Sequence, residues 1–148
     1  MSNVVIEEIR ELTIGNVLRA NAERFGRKAF LRFEDREYSY EDVHALTNRL
    51  ANGLAAQGVR HGDHVAVMMD NCVEILFSIF ALGKLGAVAV PINTAAKGRL
   101  LEYFLTHSKS NALILEAKYR ERVTEVRPAI EAVLLTVVLG GDSQDLQG

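Results

Sequence analysis

Apolar positions recur along this chain at two spacings, first helical and then strand-like, and the change of rhythm organises the molecule. Thr13 stands where a cap is expected, and Val17, Leu18, Ala22 and Phe25 follow at helical spacing up to Gly26. Ala29 to Phe33 and Glu37 to Tyr40 flank Glu34-Asp35-Arg36 and predict a short β-hairpin. Ser39 with Asp42 forms the sequence signature of a capping box, and Val43, Leu46, Leu50 and Leu54 then make one apolar helical stripe. Gly58 closes that helix, with Val59 as the hydrophobic contact of its C-cap.

From there short apolar runs alternate with helical ones. His64 to Met69 reads as a strand, and Asp70 or Asn71 is expected to cap a helix from Val73 to Leu85 that is apolar on nearly every side. Val88 to Ile92 is a second strand, and Leu100, Leu101, Phe104 and Leu105 mark the next helix. Ala112 to Leu115 is a third strand. Tyr119, Val123, Val126 and Ile130 mark a last helix that Pro128 must kink or break, and Leu134 to Leu139 is a fourth strand. Apolar strands separated by helices predict an α/β fold, a mostly parallel sheet with helices on both faces, preceded by a helix, a β-hairpin and a helix. The expected organisation is an N-terminal extension over 1–12, one α/β domain over 13–139 and a flexible tail over 140–148.

Composition narrows the class. The 148 residues suffice for one buried core, and 49% hydrophobic with 24% charged residues is ordinary for a globular protein. A net charge of −2 argues against nucleic acid or a polybasic membrane surface as partner. The single cysteine, Cys72, has no internal disulfide partner, and the reducing cytoplasm is the expected compartment. Glu7 and Glu8 interrupt the first residues, unlike a signal peptide, and Ser78, Gly83, Lys84 and Gly86 interrupt the longest apolar stretch, so no membrane span is expected.

Candidate chemistry is sparse. The loop Met69-Asp70-Asn71-Cys72 follows a strand, where α/β sheets bind ligands, and the next helix N-terminus attracts anions; capping by Asp70 or Asn71 is the plainer use of those residues. No G-x-G-x-x-G or G-x-x-x-x-G-K-[ST] occurs, and Gly83-Lys84 ends a helix instead of opening one. His61 and His64 flank Gly62-Asp63 without further ligands at metal spacing, and His44 and His107 have no partner identifiable in sequence. Cys72 falls in a first helical turn, whose dipole lowers a thiol pKa, yet no histidine is assignable as its base. Glu7-Glu8 and Glu41-Asp42 read as solvated faces or caps. No residue is expected to act as a catalytic, cofactor-binding or metal-binding group.

Three stretches in order carry a family resemblance. Tyr38-Ser39-Tyr40-Glu41-Asp42-Val43 resembles an "L-T/S-Y-x-E-L" motif. Gly58-Val59-Arg60-His61-Gly62-Asp63-His64-Val65-Ala66-Val67 resembles "G-V-x-x-G-D-x-V-A", followed by Asn71 and Glu74 as "N-x-x-E". Leu82-Gly83-Lys84-Leu85-Gly86-Ala87-Val88-Ala89-Val90-Pro91-Ile92-Asn93 is similar to the helix-to-strand crossover near the N-terminus of the same group. The group is the adenylate-forming superfamily, and the "V-P-I-N" ending is most similar to acyl-CoA synthetases. The likeness covers roughly Thr13 to Glu116.

For a full-length relative this resemblance implies an AMP-forming acid–CoA ligase of fatty acid metabolism, using ATP, Mg2+ and coenzyme A. The family's Ser/Thr/Gly-rich phosphate loop, its adenine and ribose pocket and its C-terminal lysine match no position here. The chain is therefore expected to be an inactive N-terminal fragment, whose partner is the remainder of the ligase or a second copy meeting its uncovered apolar surface. A non-catalytic α/β protein-interaction module and a flavodoxin-like nucleotide-binding domain are the alternatives.

Overall fold

A computed structural model of the chain describes residues 12–140. The Glu7-Glu8 pair and almost all of the expected tail lie outside them. Helix α1 (Ile14–Phe25) starts where Thr13 Oγ1 accepts from Asn16 N at 3.2 Å. Strands β1 (Ala29–Phe33) and β2 (Arg36–Ser39) form an antiparallel hairpin. Its turn is one residue tighter than expected, because Arg36 pairs with Phe33 and leaves only Glu34 and Asp35 to reverse the chain.

The capping box forms: Ser39 Oγ accepts from Asp42 N at 3.1 Å and Asp42 Oδ2 accepts from Ser39 N at 3.0 Å. It makes Tyr40, expected in the hairpin, the first residue of α2 (Tyr40–Ala56). Past that helix, Gly58 takes φ +103° and Val59 N returns to Leu54 O at 3.0 Å, which buries Val59.

Strands β3 (His64–Met68), β4 (Val88–Pro91), β5 (Ala112–Glu116) and β6 (Leu135–Leu139) form one parallel sheet in the order β4-β3-β5-β6. Helix α3 (Val73–Leu85) joins β3 to β4, and α4 (Gly98–His107) joins β4 to β5. Tyr119, Val123, Val126 and Ile130 are all buried, but not on one continuous helix. Tyr119 ends a 3-10 turn, Val123 and Val126 lie on helix α5 (Arg120–Val126), and Ile130 follows a second 3-10 turn at Arg127–Ala129. The break falls at Pro128, whose ring and missing N–H cannot continue the ladder.

Strand side chains alternate between two cores. Val65, Val67 and Ile114 pack against Ala51 and Leu54 of α2 and Ala81 and Leu82 of α3. Ala66, Met68, Leu113 and Leu115 pack against Leu101 and Leu105 of α4 and Val123 and Val126 of α5. Coverage on both faces explains why these strands read as unbroken apolar runs. Leu100, expected on the apolar stripe of α4, is 52% exposed because only Leu101 and Leu105 turn fully inward. A third cluster seats the hairpin on α3, where the Tyr38 and Phe77 rings meet edge to face at 5.3 Å.

Candidate functional site at the carboxyl edge of the sheet

Loops that follow parallel strands converge on one edge of the sheet, and the sequence pattern already placed Asp70, Asn71 and Cys72 there. The structure corrects their role. Cys72 occupies the N-cap of α3 and makes no side-chain cap bond, so neither Asp70 nor Asn71 caps the helix. Asp70 lies too far upstream, and its carboxylate is drawn across the edge instead. It accepts from Lys118 Nζ at 2.6 Å and from Tyr119 Oη at 2.5 Å. Lys118 also pairs with Glu116 at 2.7 Å, and Asp70 N donates to Glu116 Oε2 at 3.3 Å.

Electrostatics follow from this geometry. The Lys118 hydrogen bond, and then that of Tyr119, holds the Asp70 carboxyl down to about 2. The same carboxylates raise the Lys118 pKa. Thr94, from the loop after β4, adds a further bond to Asp70, and the Thr94 carbonyl accepts from Arg122 Nη1 at 2.6 Å. The Lys118 and Arg122 cations both lie over the buried Tyr119 ring, 5.2 and 5.0 Å from its centroid. Three post-strand loops are thereby tied together. Glu116, Lys118, Tyr119, Thr94 and Arg122 were not singled out from sequence. The readable signal was an acid, a lysine and a tyrosine packed into four residues at the end of a strand.

Beside this network a cleft of about 380 Å³ is lined by Met69, Cys72, Glu74, Glu116, Leu139 and Gly140. Cys72 is half-buried here, and desolvation pushes its thiol up, against the helix-dipole expectation. Glu74 in the first turn of α3 adds to that direction.

The other sequence candidates are dispersed. Lys84 Nζ donates to His44 O at 3.1 Å, Thr47 Oγ1 at 2.7 Å and Asn48 Oδ1 at 2.7 Å, clamping α3 to α2. His64 Nδ1 meets Ser108 O at 2.6 Å, whereas His61 lies against Gly86. His107 stacks on Tyr103. Asp42 is spent in the capping box. Among the described residues no three His, Cys, Asp or Glu side chains are grouped to hold a metal ion, and no helix is long and apolar enough to cross a membrane.

The family profile described as "AMP-binding enzyme" matches residues 18–147. The chain belongs to that family. Crotonobetaine/carnitine–CoA ligase of Salmonella paratyphi A is 35% identical over 126 residues, which are 82% of this chain and 24% of the relative. A long-chain-fatty-acid–CoA ligase from Archaeoglobus fulgidus superposes with a TM-score of 0.81 at 28% identity, covering 90% of this chain and 28% of the other. An anthranilate–CoA ligase in complex with anthranoyl-AMP superposes with a TM-score of 0.80 at 30% identity, covering 87% and 25%. The chain thus spans about a quarter of the length of these relatives, aligning with their N-terminal part.

ATP, the cofactor such ligases imply, does not fit this edge on the described residues alone. The cleft presents the Glu74 and Glu116 carboxylates, and the Lys118 ammonium beside it is already held by Asp70 and Glu116. A triphosphate there would meet like charge without free cations to offset it.

Proposed function

We propose that this chain, over residues 13–139, is the N-terminal part of an AMP-forming carboxylic acid–CoA ligase. Such an enzyme joins the acid to AMP with release of pyrophosphate, and coenzyme A then displaces AMP. A carboxylate is a poor electrophile, and adenylation supplies the leaving group that thioester formation needs. The observation that carries the reading is the family match over 18–147, together with superposition on CoA ligases over nearly the whole described chain. The matched ligases are named for crotonobetaine or carnitine, a long-chain fatty acid and anthranilate. One quarter-length scaffold common to such different acids leaves the choice of acid to the rest of the enzyme.

On this reading the chain alone binds no ATP and catalyses no step. Its partner is the remainder of the ligase, and its compartment the cytoplasm. ATP and Mg2+ would be held by that remainder, since positioning and charge neutralisation carry most of phosphoryl and acyl-phosphate chemistry. The test is acid-dependent exchange of pyrophosphate into ATP. The purified chain is expected to show none, and exchange is expected when it is expressed joined to the downstream portion of a matched ligase. Exchange that follows the isolated chain through purification would overturn the inactive-fragment reading. A folded joined protein without exchange, across the acids of the matched ligases, would overturn the ligase reading.

A further inference from the structure

Lys84 stands where three helices meet. Its Nζ donates to His44 O, Thr47 Oγ1 and Asn48 Oδ1 of α2, at 3.1, 2.7 and 2.7 Å. Thr47 is fully buried, and its own hydroxyl donates to Val43 O at 2.6 Å. On the other side α1 rests on the Lys84 stem. A Cβ built on Gly15 would lie 3.5 Å from Lys84 Cγ, and Ile14 lies over the neighbouring Gly83. Lys84 therefore joins α3 to α2 and supports the start of α1.

The same cluster has no place for one more proton. His44 Nδ1 lies 3.3 Å from Lys84 Nζ, and Nε2 lies 3.1 Å from Asn48 Nδ2. The Asn48 amide cannot turn its oxygen to the ring, because that oxygen already accepts from Lys84. A neutral imidazole accepts on one side, but an imidazolium must donate on both and meets a donor at each. Protonation therefore breaks at least one contact of the cluster, and the Lys84 ammonium is the charge it repels. Burial first, and then the Lys84 charge, favours the neutral ring; from α1, Glu23 opposes this and Arg19 reinforces it.

Helix α1 is lightly held. Its one buried side chain is Leu18, which shares a cluster with Val43, Val73 and Phe77. Its 12 residues are too few for a helix to persist in water without its packing. Its far end is tied separately, where Glu41 N donates to Gly26 O at 3.1 Å.

We propose that His44 and Lys84 form a latch that acid opens, in which proton uptake by the ring expels the Lys84 ammonium and frees α1 from the α2–α3 seam. The parallel sheet stays closed, since no α1 side chain enters either of its two cores. The latch is shut while His44 is neutral and opens as pH falls below the ordinary histidine value of about 6.5. The inference does not rest on the ligase reading, because its test reads helix docking and not activity.

Amide hydrogen exchange of the full chain tests this, read as protection factors so that the intrinsic effect of pH is divided out. Between pH 7.5 and pH 5, protection from Leu18 to Phe25 is expected to fall about threefold or more relative to that of β5. In His44→Gln this relative fall is expected to vanish. In Lys84→Met the latch is open from the start. There α1 is expected to be weakly protected at pH 7.5 and to change little on acidification. Equal falls in α1 and β5, an α1 unprotected already at pH 7.5, or a relative fall that persists in His44→Gln would each overturn the proposal. So would a Lys84→Met variant that behaves as the unaltered chain does. Where Lys84→Met does not fold, the comparison of the unaltered chain with His44→Gln decides.

Discussion

Gly86 sits directly against the His61 imidazole, at the point where α3 turns into β4. Gly86 adopts φ +71°, and a Cβ built there would overlap His61 Cδ2 and lie 3.0 Å from Nε2. Its amide bonds Gly83 O and its carbonyl accepts from Gly62 N at 2.9 Å, so neither loop can easily retreat. Two costs therefore add at Gly86, left-handed backbone and collision. At Gly58, φ +103° brings only the first, because no atom lies within 4 Å of the added carbon. Chemical denaturation is expected to show Gly86→Val losing about 1–3 kcal/mol, and Gly58→Val a smaller loss of about 1 kcal/mol. Part of the Gly86 loss is expected to disappear in a His61→Ala background. Equal losses at the two glycines, unaffected by that background, would remove the His61 contact from the account.

A second test concerns acid. Both ring nitrogens of His44 face donors, Lys84 Nζ at 3.3 Å and Asn48 Nδ2 at 3.1 Å, so an imidazolium would find no acceptor on either side. Burial first, and then the Lys84 charge, lowers the His44 pKa from its ordinary value of about 6.5. From α1, Glu23 opposes this shift and Arg19 reinforces it. The unfolded chain thus takes up the proton at a higher pH than the folded one. Stability from a neutral His44 is full above about pH 6.5 and declines as pH falls through the lower folded value. Melting temperature is expected to drop more steeply between pH 7.5 and pH 5 for the unaltered chain than for His44→Gln. Parallel curves would show that His44 does not titrate against Lys84.

How much of this was readable beforehand depends on sequence separation. Thr13, the Ser39–Asp42 box and Pro128 act on their immediate neighbours, and each reads correctly from the chain. The alternation of short apolar runs gave a parallel sheet because strands buried on both faces cannot be amphipathic. The strand order β4-β3-β5-β6 was not readable, since nothing local in β3 says that it sits between β4 and β5. The site was less legible still. Asp70 meets partners 48 and 49 residues away, Lys84 reaches back 37 residues to Thr47, and Gly86 meets His61 from another loop. Asp70 looks like a helix cap by spacing alone, and only the fold brings Lys118 close enough to take it away. The family resemblance succeeded for the opposite reason, because its motifs are short and local.

That competition for Asp70 yields the last prediction. A carboxyl held down to about 2 stays ionised through the range where an ordinary aspartate near 4 takes up its proton. The folded state therefore binds this proton more weakly than the unfolded one. The resulting stabilisation is present above about pH 4 and is lost as pH falls through about 2. Asp70 and Lys118 are both about half exposed, so salt screens the charge pair, whereas the bond from the buried Tyr119 hydroxyl is less affected. Carboxyl-detected NMR is expected to place the Asp70 midpoint well below those of the exposed carboxylates. Asp70→Asn is expected to melt below the unaltered chain at pH 7, and the gap to narrow in molar salt without closing. Lowering the pH toward 2 is expected to narrow it further, as the native carboxylate itself becomes neutral. An ordinary Asp70 midpoint would show that the three post-strand loops are held by packing alone, and the Asp70 bonds would then be a consequence of the edge geometry and not one of its causes.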